Sequence, residues 1–134
     1  MSKKSSIISW IAAIVSAIVM LQTLYFKFSA APESVYIFTT LGMEPYGRIG
    51  SGIAELIASI LILIPATRWL GAALGLGIIL GAIMAHLTKL GISVMDDGGY
   101  LFFLAIVVFV GFVVCLYLEK DKLKSMYARY FSAR

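Results

Sequence analysis

Charge is in short supply here. Only 13% of the 134 residues are charged and 61% are hydrophobic, against roughly 25% and 45–50% in an ordinary water-soluble domain. So apolar a chain excludes a conventional soluble enzyme with a polar shell. Cysteine is nearly absent as well. Cys115 stands alone, so no intrachain disulfide can form, and its place inside an apolar run reads as a small buried hydrophobe. His86 is the single histidine, which excludes a haem held by a histidine pair. With Glu55 it supplies two ligands where zinc takes about three or four, so no metal is expected. No nucleotide-binding fingerprint occurs. The three prolines, Pro32, Pro45 and Pro65, all fall between long apolar runs. The formal net charge of +4 does not point to nucleic acid, because most cations flank apolar segments at the chain ends. That placement suits membrane orientation and attraction to anionic headgroups.

What is abundant is apolar sequence in helix-length blocks. A bilayer span takes about 20 residues, so four of them consume most of this chain and leave no room for a separate soluble catalytic domain. The first run is Ile7 to Phe26, behind Lys3 and Lys4. It is too long for a signal-peptide core, and Pro32 would directly follow a cut after Ala31, so it is read as a retained first span. A connection follows from Lys27 to Tyr46. Its stretch from Ser34 to Leu41 is rich in aromatic and β-branched residues, which predicts a short helix at the membrane interface. The second span is expected from Gly47 to Ile64, stopped by Pro65. Ala66, Thr67 and Arg68 form a turn so short that the third span, Trp69 to Leu90, must run back beside the second. Gly91 to Gly98 makes the next turn, and Gly99 to Leu118 the fourth span.

These elements predict an all-α fold, an up-down four-helix transmembrane bundle over residues 1–118. Residues 119–134 form a basic tail, in which the spacing of Leu123, Met126, Tyr127 and Tyr130 suggests an amphipathic helix on the inner leaflet. Four spans put both termini on one side with Arg68. That side holds eight cations, the other only Lys27, Arg48 and Lys89, which places both termini in the cytoplasm. Association in lipid relies on small residues. The third span offers Gly71 and Gly75, then Gly77, Gly81 and Ala85. The second offers Ser51, Gly52, Ala58 and Ser59, and the first Ser9, Ala13 and Ala17. They serve contacts within the bundle or a homodimer seam.

Ionisable residues inside a bilayer are costly and so draw a functional hypothesis. Glu55 sits about 12 Å into the second span at 1.5 Å per residue. Arg48 is two turns away on the same face, with Ser51 between. His86 and Lys89 share a face near the outer end of the third span, and Gln22 and Lys27 close the first. The cluster of Lys27, Arg48, Ser51, Glu55, His86 and Lys89 has two readings. It is a structural pairing of Glu55 with Lys27, Arg48 or His86, or a pocket for a polar or quinone-like head group with proton exchange at Glu55 or His86.

The ordered set of motifs resembles the DoxX family of small four-span bacterial membrane proteins. The matching pieces are Tyr25 to Phe28, Leu41-Gly42, Ile49 to Leu56, Pro65 to Gly71, Gly81 to Leu87 and Gly98-Gly99. They run in order from Tyr25 to Leu118, with Lys27, Glu55 and His86 as the motif positions. The resemblance implies a multi-pass protein of the bacterial inner membrane. Relatives include a small subunit linked to thiosulfate:quinone oxidation and others tied to redox stress. The expected role is an accessory or scaffold protein of a larger membrane complex or a homo-oligomer, or a binder of a quinone-like ligand. The alternatives are a quinone-reactive subunit of a redox enzyme and a small transporter or proton path. For the last, the inner halves of the spans offer little beyond Ser9, Ser16 and Ser59.

Overall fold

The computed structural model describes residues 2–131, apart from the side chains of Leu123, Met126 and Phe131. It is all-helical, and the apolar runs dictate where the helices lie. Helix α1 covers Lys3–Phe28, capped by the Ser2 hydroxyl, which accepts from the Ser5 N–H. Helix α2 is Pro32–Thr40, with proline at its first position, where no donor is lost. Helix α3 is Tyr46–Leu63, and a single 3₁₀ turn, Pro65–Thr67, leads to α4 at Arg68–Ala85. A π-helical turn, His86–Leu90, extends α4. Helix α5 is Tyr100–Leu118 and α6 is Lys120–Phe131.

Four of these segments are long and apolar enough to cross a membrane: Lys3–Phe28, Tyr46–Leu63, Pro65–Leu90 and Tyr100–Leu118. They form a square. Helix α1 packs on α3 and α5, and α4 packs on the same two, so α1 and α4 stand diagonally. The order is up-down, with the start of α1, the α5–α6 junction and the Pro65–Thr67 turn at one end, called here the terminal end. Helix α2 and the loop 91–99 lie at the opposite, distal end.

Size sorts the side chains more than polarity does. The interior holds Ala13, Ala17, Ala58, Ala72, Cys115, Ser9, Ser16 and Ser59 around a few larger groups, Ile62, Val108 and Phe112. The outside carries Ile11, Ile18, Ile60 and Phe103, each more than half exposed. Glycine sets how closely the helices approach. A Cβ added to Gly71 would lie 2.4 Å from the Ile62 nitrogen, so the α3 and α4 backbones touch there. One added to Gly111 would lie 2.1 Å from Ser16 Oγ and 3.5 Å from the Ala12 carbonyl, which marks the α1–α5 seam. Gly77 and Gly81 differ, for both are exposed and a Cβ on either meets nothing within 4 Å. The small residues of α4 therefore split into an inner seam, Gly71 and Gly75, and an outer stripe, Ala73, Gly77 and Gly81.

Of the residues expected to make the tail amphipathic, Tyr127 and Tyr130 are exposed on α6; the side chains of Leu123 and Met126 lie outside the described residues, as does Arg134.

Gly71→Ala is expected to lower stability by about 1–3 kcal/mol, since a methyl against backbone must push two helices apart. Gly77→Ala adds its methyl to open space and should be neutral or slightly stabilising in helix propensity. Paired unfolding titrations of the two variants in detergent would check this. Equal costs would mean that the α3–α4 seam is not the close one.

Candidate functional site

The distal cluster is built on the facing sides of α1 and α3. Lys27 sits in the last turn of α1, and its ammonium pairs directly with Glu55 Oε1. Thr23, one turn earlier, has its hydroxyl 2.9 Å from Glu55 Oε2 and 2.7 Å from the Met20 carbonyl, two acceptors that share its one proton. Both carboxylate oxygens are thus engaged. The two charged side chains are only 15% and 12% exposed, so each would be a severe cost alone and they are tolerable together. The Lys27 ammonium also lies 5.6 Å from the centre of the Phe38 ring, which brings α2 over the pair. Ser59 donates back to the Glu55 carbonyl at 2.7 Å.

The other residues expected in this cluster go to separate places. Arg48 is buried, but its guanidinium serves Glu44, with Nε at 2.9 Å from Oε1, and donates through Nη1 to the Lys27 carbonyl. It therefore caps the C-terminal end of α1 and does not touch Glu55. Ser51 donates to the Arg48 carbonyl at 3.2 Å. His86 is buried, with Nδ1 at 2.9 Å from the Gly91 carbonyl and its ring edge-on to Phe102. A carbonyl can only accept, so Nδ1 carries the proton. Gln22 and Lys89 are both exposed. The expectation that His86 and Lys89 share a face assumed a regular α-helix. The π turn beginning at His86 widens the helical period and carries Lys89 off that face.

His86 and Asp97 together hold the distal loop. Asp97 Oδ1 accepts from the Val94 and Gly99 N–H groups at 3.0 and 2.8 Å, and Oδ2 from Leu101 at 3.1 Å, which caps the start of α5. Partial withdrawal from water opposes the charge on Asp97. The backbone N–H groups of Val94, Leu101, Gly99 and Tyr100 outweigh it and hold the carboxyl below its ordinary 3.8.

A second polar cluster lies at the terminal end, among residues that the sequence does not bring together. Arg68, expected in the turn before the third span, opens α4 and is 2% exposed; Glu119, expected at the head of the polar tail, is also 2% exposed. Their nearest charged atoms are 3.9 Å apart. Ser9 bridges them, donating to Glu119 Oε1 at 3.1 Å and lying 3.3 Å from Arg68 Nη1. Arg68 Nε donates to the Ile62 carbonyl at 2.9 Å, which satisfies an acceptor at the end of α3, and its guanidinium stacks 4.1 Å from the Trp10 ring centre. Lys122 completes the group, 3.2 Å from Glu119 Oε2 and donating to the Pro65 carbonyl at 2.9 Å. Arg68 Nη2 and the Ser16 hydroxyl find no hydrogen-bond partner among the described residues. The sequence did carry one signal, for Ser9, Ser16 and Thr23 recur every seven residues along one face of α1. Nothing in it paired Arg68 with Glu119.

No protein-family model matches the chain, and no curated protein or solved structure matches it either.

Two outcomes follow. Lys27→Met leaves Glu55 buried without its counter-charge and should cost about 3–5 kcal/mol, while Lys27→Met with Glu55→Leu should recover most of that loss; a double-mutant cycle by chemical unfolding reads the coupling. For Asp97, the folded pKa lies below the unfolded one. Its stabilising contribution is therefore complete above 3.8 and drains away as pH falls through the lower folded value. Acid unfolding curves should fall more steeply for wild type than for Asp97→Asn in that range, because only wild type loses this increment on top of what the other six acidic groups contribute.

Proposed function

We propose that this chain is a bilayer-spanning accessory protein that docks beside another helical membrane component, with its buried charges serving to build the bundle. The membrane reading rests on the belt of large exposed apolar side chains around an interior of small residues, an arrangement that water would not tolerate. Both termini face the cytoplasm in this reading, because the terminal end collects Lys3, Lys4, Lys120, Lys122, Lys124 and Arg129.

The observation that carries the accessory role is the consumption of the distal cluster by its own partners. Glu55 is held at both oxygens by Lys27 and Thr23, Arg48 by Glu44 and the Lys27 carbonyl, and His86 by the Gly91 carbonyl. A quinone-reactive site needs one of these groups to turn toward a ligand, which would first break a buried pair. The resemblance to the DoxX family is consistent with a subunit that works within a complex. The outer stripe of Ala73, Gly77 and Gly81 on α4 offers a partner helix close backbone approach.

The test is native mass spectrometry of the protein extracted gently from its own membrane. Wild type should appear with a stoichiometric membrane partner or a second copy, and Gly77→Ile with Gly81→Ile should release it without lowering the unfolding midpoint. A monomer carrying one quinone, lost on Glu55→Gln, would replace this reading with the quinone-reactive one.

A further inference from the structure

At the terminal end, α6 folds back over the turn between α3 and α4 and leaves an open groove of about 360 Å³ lined by Ala66, Trp69, Asp121, Lys122, Ser125 and Arg129. We propose that this groove seats the phosphodiester headgroup of an acidic phospholipid. The inference rests on the membrane reading and is independent of the accessory role.

The donors come from one face of α6. Lys122, Ser125 and Arg129 are spaced three and four residues apart, so they line up along the helix toward the turn. Each has something left to give. Among the described residues no carboxylate pairs with Arg129, whose planar fork suits two phosphate oxygens. The Lys122 ammonium spends two contacts on Glu119 and the Pro65 carbonyl, and an ammonium has three donors. Ser125 adds a hydroxyl.

Charge complementarity selects the ligand. Just beneath the groove, Arg68 and Lys122 face the one carboxylate of Glu119, which leaves that cluster net positive. Asp121 on the lining sets an upper limit: it tolerates the single charge of a phosphodiester better than the higher charge of free phosphate. Trp69 supplies an indole, the ring that favours headgroup depth. The neighbouring Ile64 and Leu70 are 45% and 42% exposed and give acyl chains an apolar wall to follow. A cationic helix over an indole, beside an apolar belt, matches an acidic lipid in both its parts.

The experiment uses the intact protein in detergent, reloaded with phosphatidylglycerol or phosphatidylcholine and weighed by native mass spectrometry. Wild type should retain phosphatidylglycerol in preference to phosphatidylcholine. Arg129→Gln should weaken that retention about tenfold, the loss of one charge-assisted contact. Lys124→Gln removes the same charge from α6 outside the groove lining and should change retention less than about twofold. Unchanged unfolding midpoints would show both variants folded. Equal retention of the two lipids would overturn the proposal, as would equal losses in the two variants, which would mean a diffuse field with no seat. Displacement of the lipid by millimolar inorganic phosphate would assign the groove to free phosphate instead.

Discussion

The pairing of Lys27 with Glu55 is the constraint around which the distal half of the bundle is arranged. A carboxylate more than two turns inside α3 has to meet a cation, and Lys27 is brought to it by the length of α1. Once the pair forms, other choices follow from it. Thr23 takes the second oxygen, Phe38 of α2 lies against the ammonium, and Arg48 is free to cap the carbonyl at Lys27. The short helix α2 is therefore tied to the bundle through the same residue that neutralises Glu55. Desolvation makes such a pair a poor source of net stability, yet a severe penalty for any alternative register. Its contribution is to specify which turn of α1 faces which turn of α3.

The terminal end solves the same problem with different parts. Arg68 and Glu119 belong to α4 and to the junction of α5 with α6, and Ser9 and Trp10 bring in α1. Through the Ile62 carbonyl, Arg68 reaches α3 as well. One guanidinium thereby contacts all sides of the square. Its aromatic partner matters, since a stacked arginine is less strongly hydrated than an ammonium and is easier to bury. Lys122 then pins the start of α6 over the turn, so the orientation of the tail depends on a charge balance inside the bundle.

How much of this was legible in the sequence depends on the range of the cause. The four long helices begin and end close to where the apolar runs, Pro65 and the glycine-bearing turns predict, because those signals are local. The helix expected over residues 34–41 appears at Pro32–Thr40 for the same reason. Glu55 could be matched from sequence only to a choice of three cations, and packing chose Lys27. Thr23 stands one turn before Lys27 on the same face, but an uncharged residue in an apolar run carries no signal of its own. The π turn at His86 had no local signature, and it is what separates Lys89 from His86. In the sequence Arg68 reads only as the end of a turn and Glu119 as the start of the polar tail. Their burial depends on Ser9 and Trp10, which are distant in sequence, and on a tail helix that folds back.

With polar groups at both ends, the bundle invites comparison with a proton path, and the spacing along α1 argues against direct side-chain relay. Ser9, Ser16 and Thr23 are seven residues apart, so each gap is about 10 Å at 1.5 Å per residue. A relay needs steps of about 3 Å. The intervals are occupied by Ala13, Ala17 and Met20 from α1, and by Ile62, Val108 and Phe112 from its neighbours. Of the two buried hydroxyls in this middle, Ser59 is turned back onto the Glu55 carbonyl and Ser16 has no hydrogen-bond partner among the described residues. Two separate polar ends joined by a closely packed apolar middle describe a strut better than a conduit. A displacement at one end can reach the other only through the packed helices.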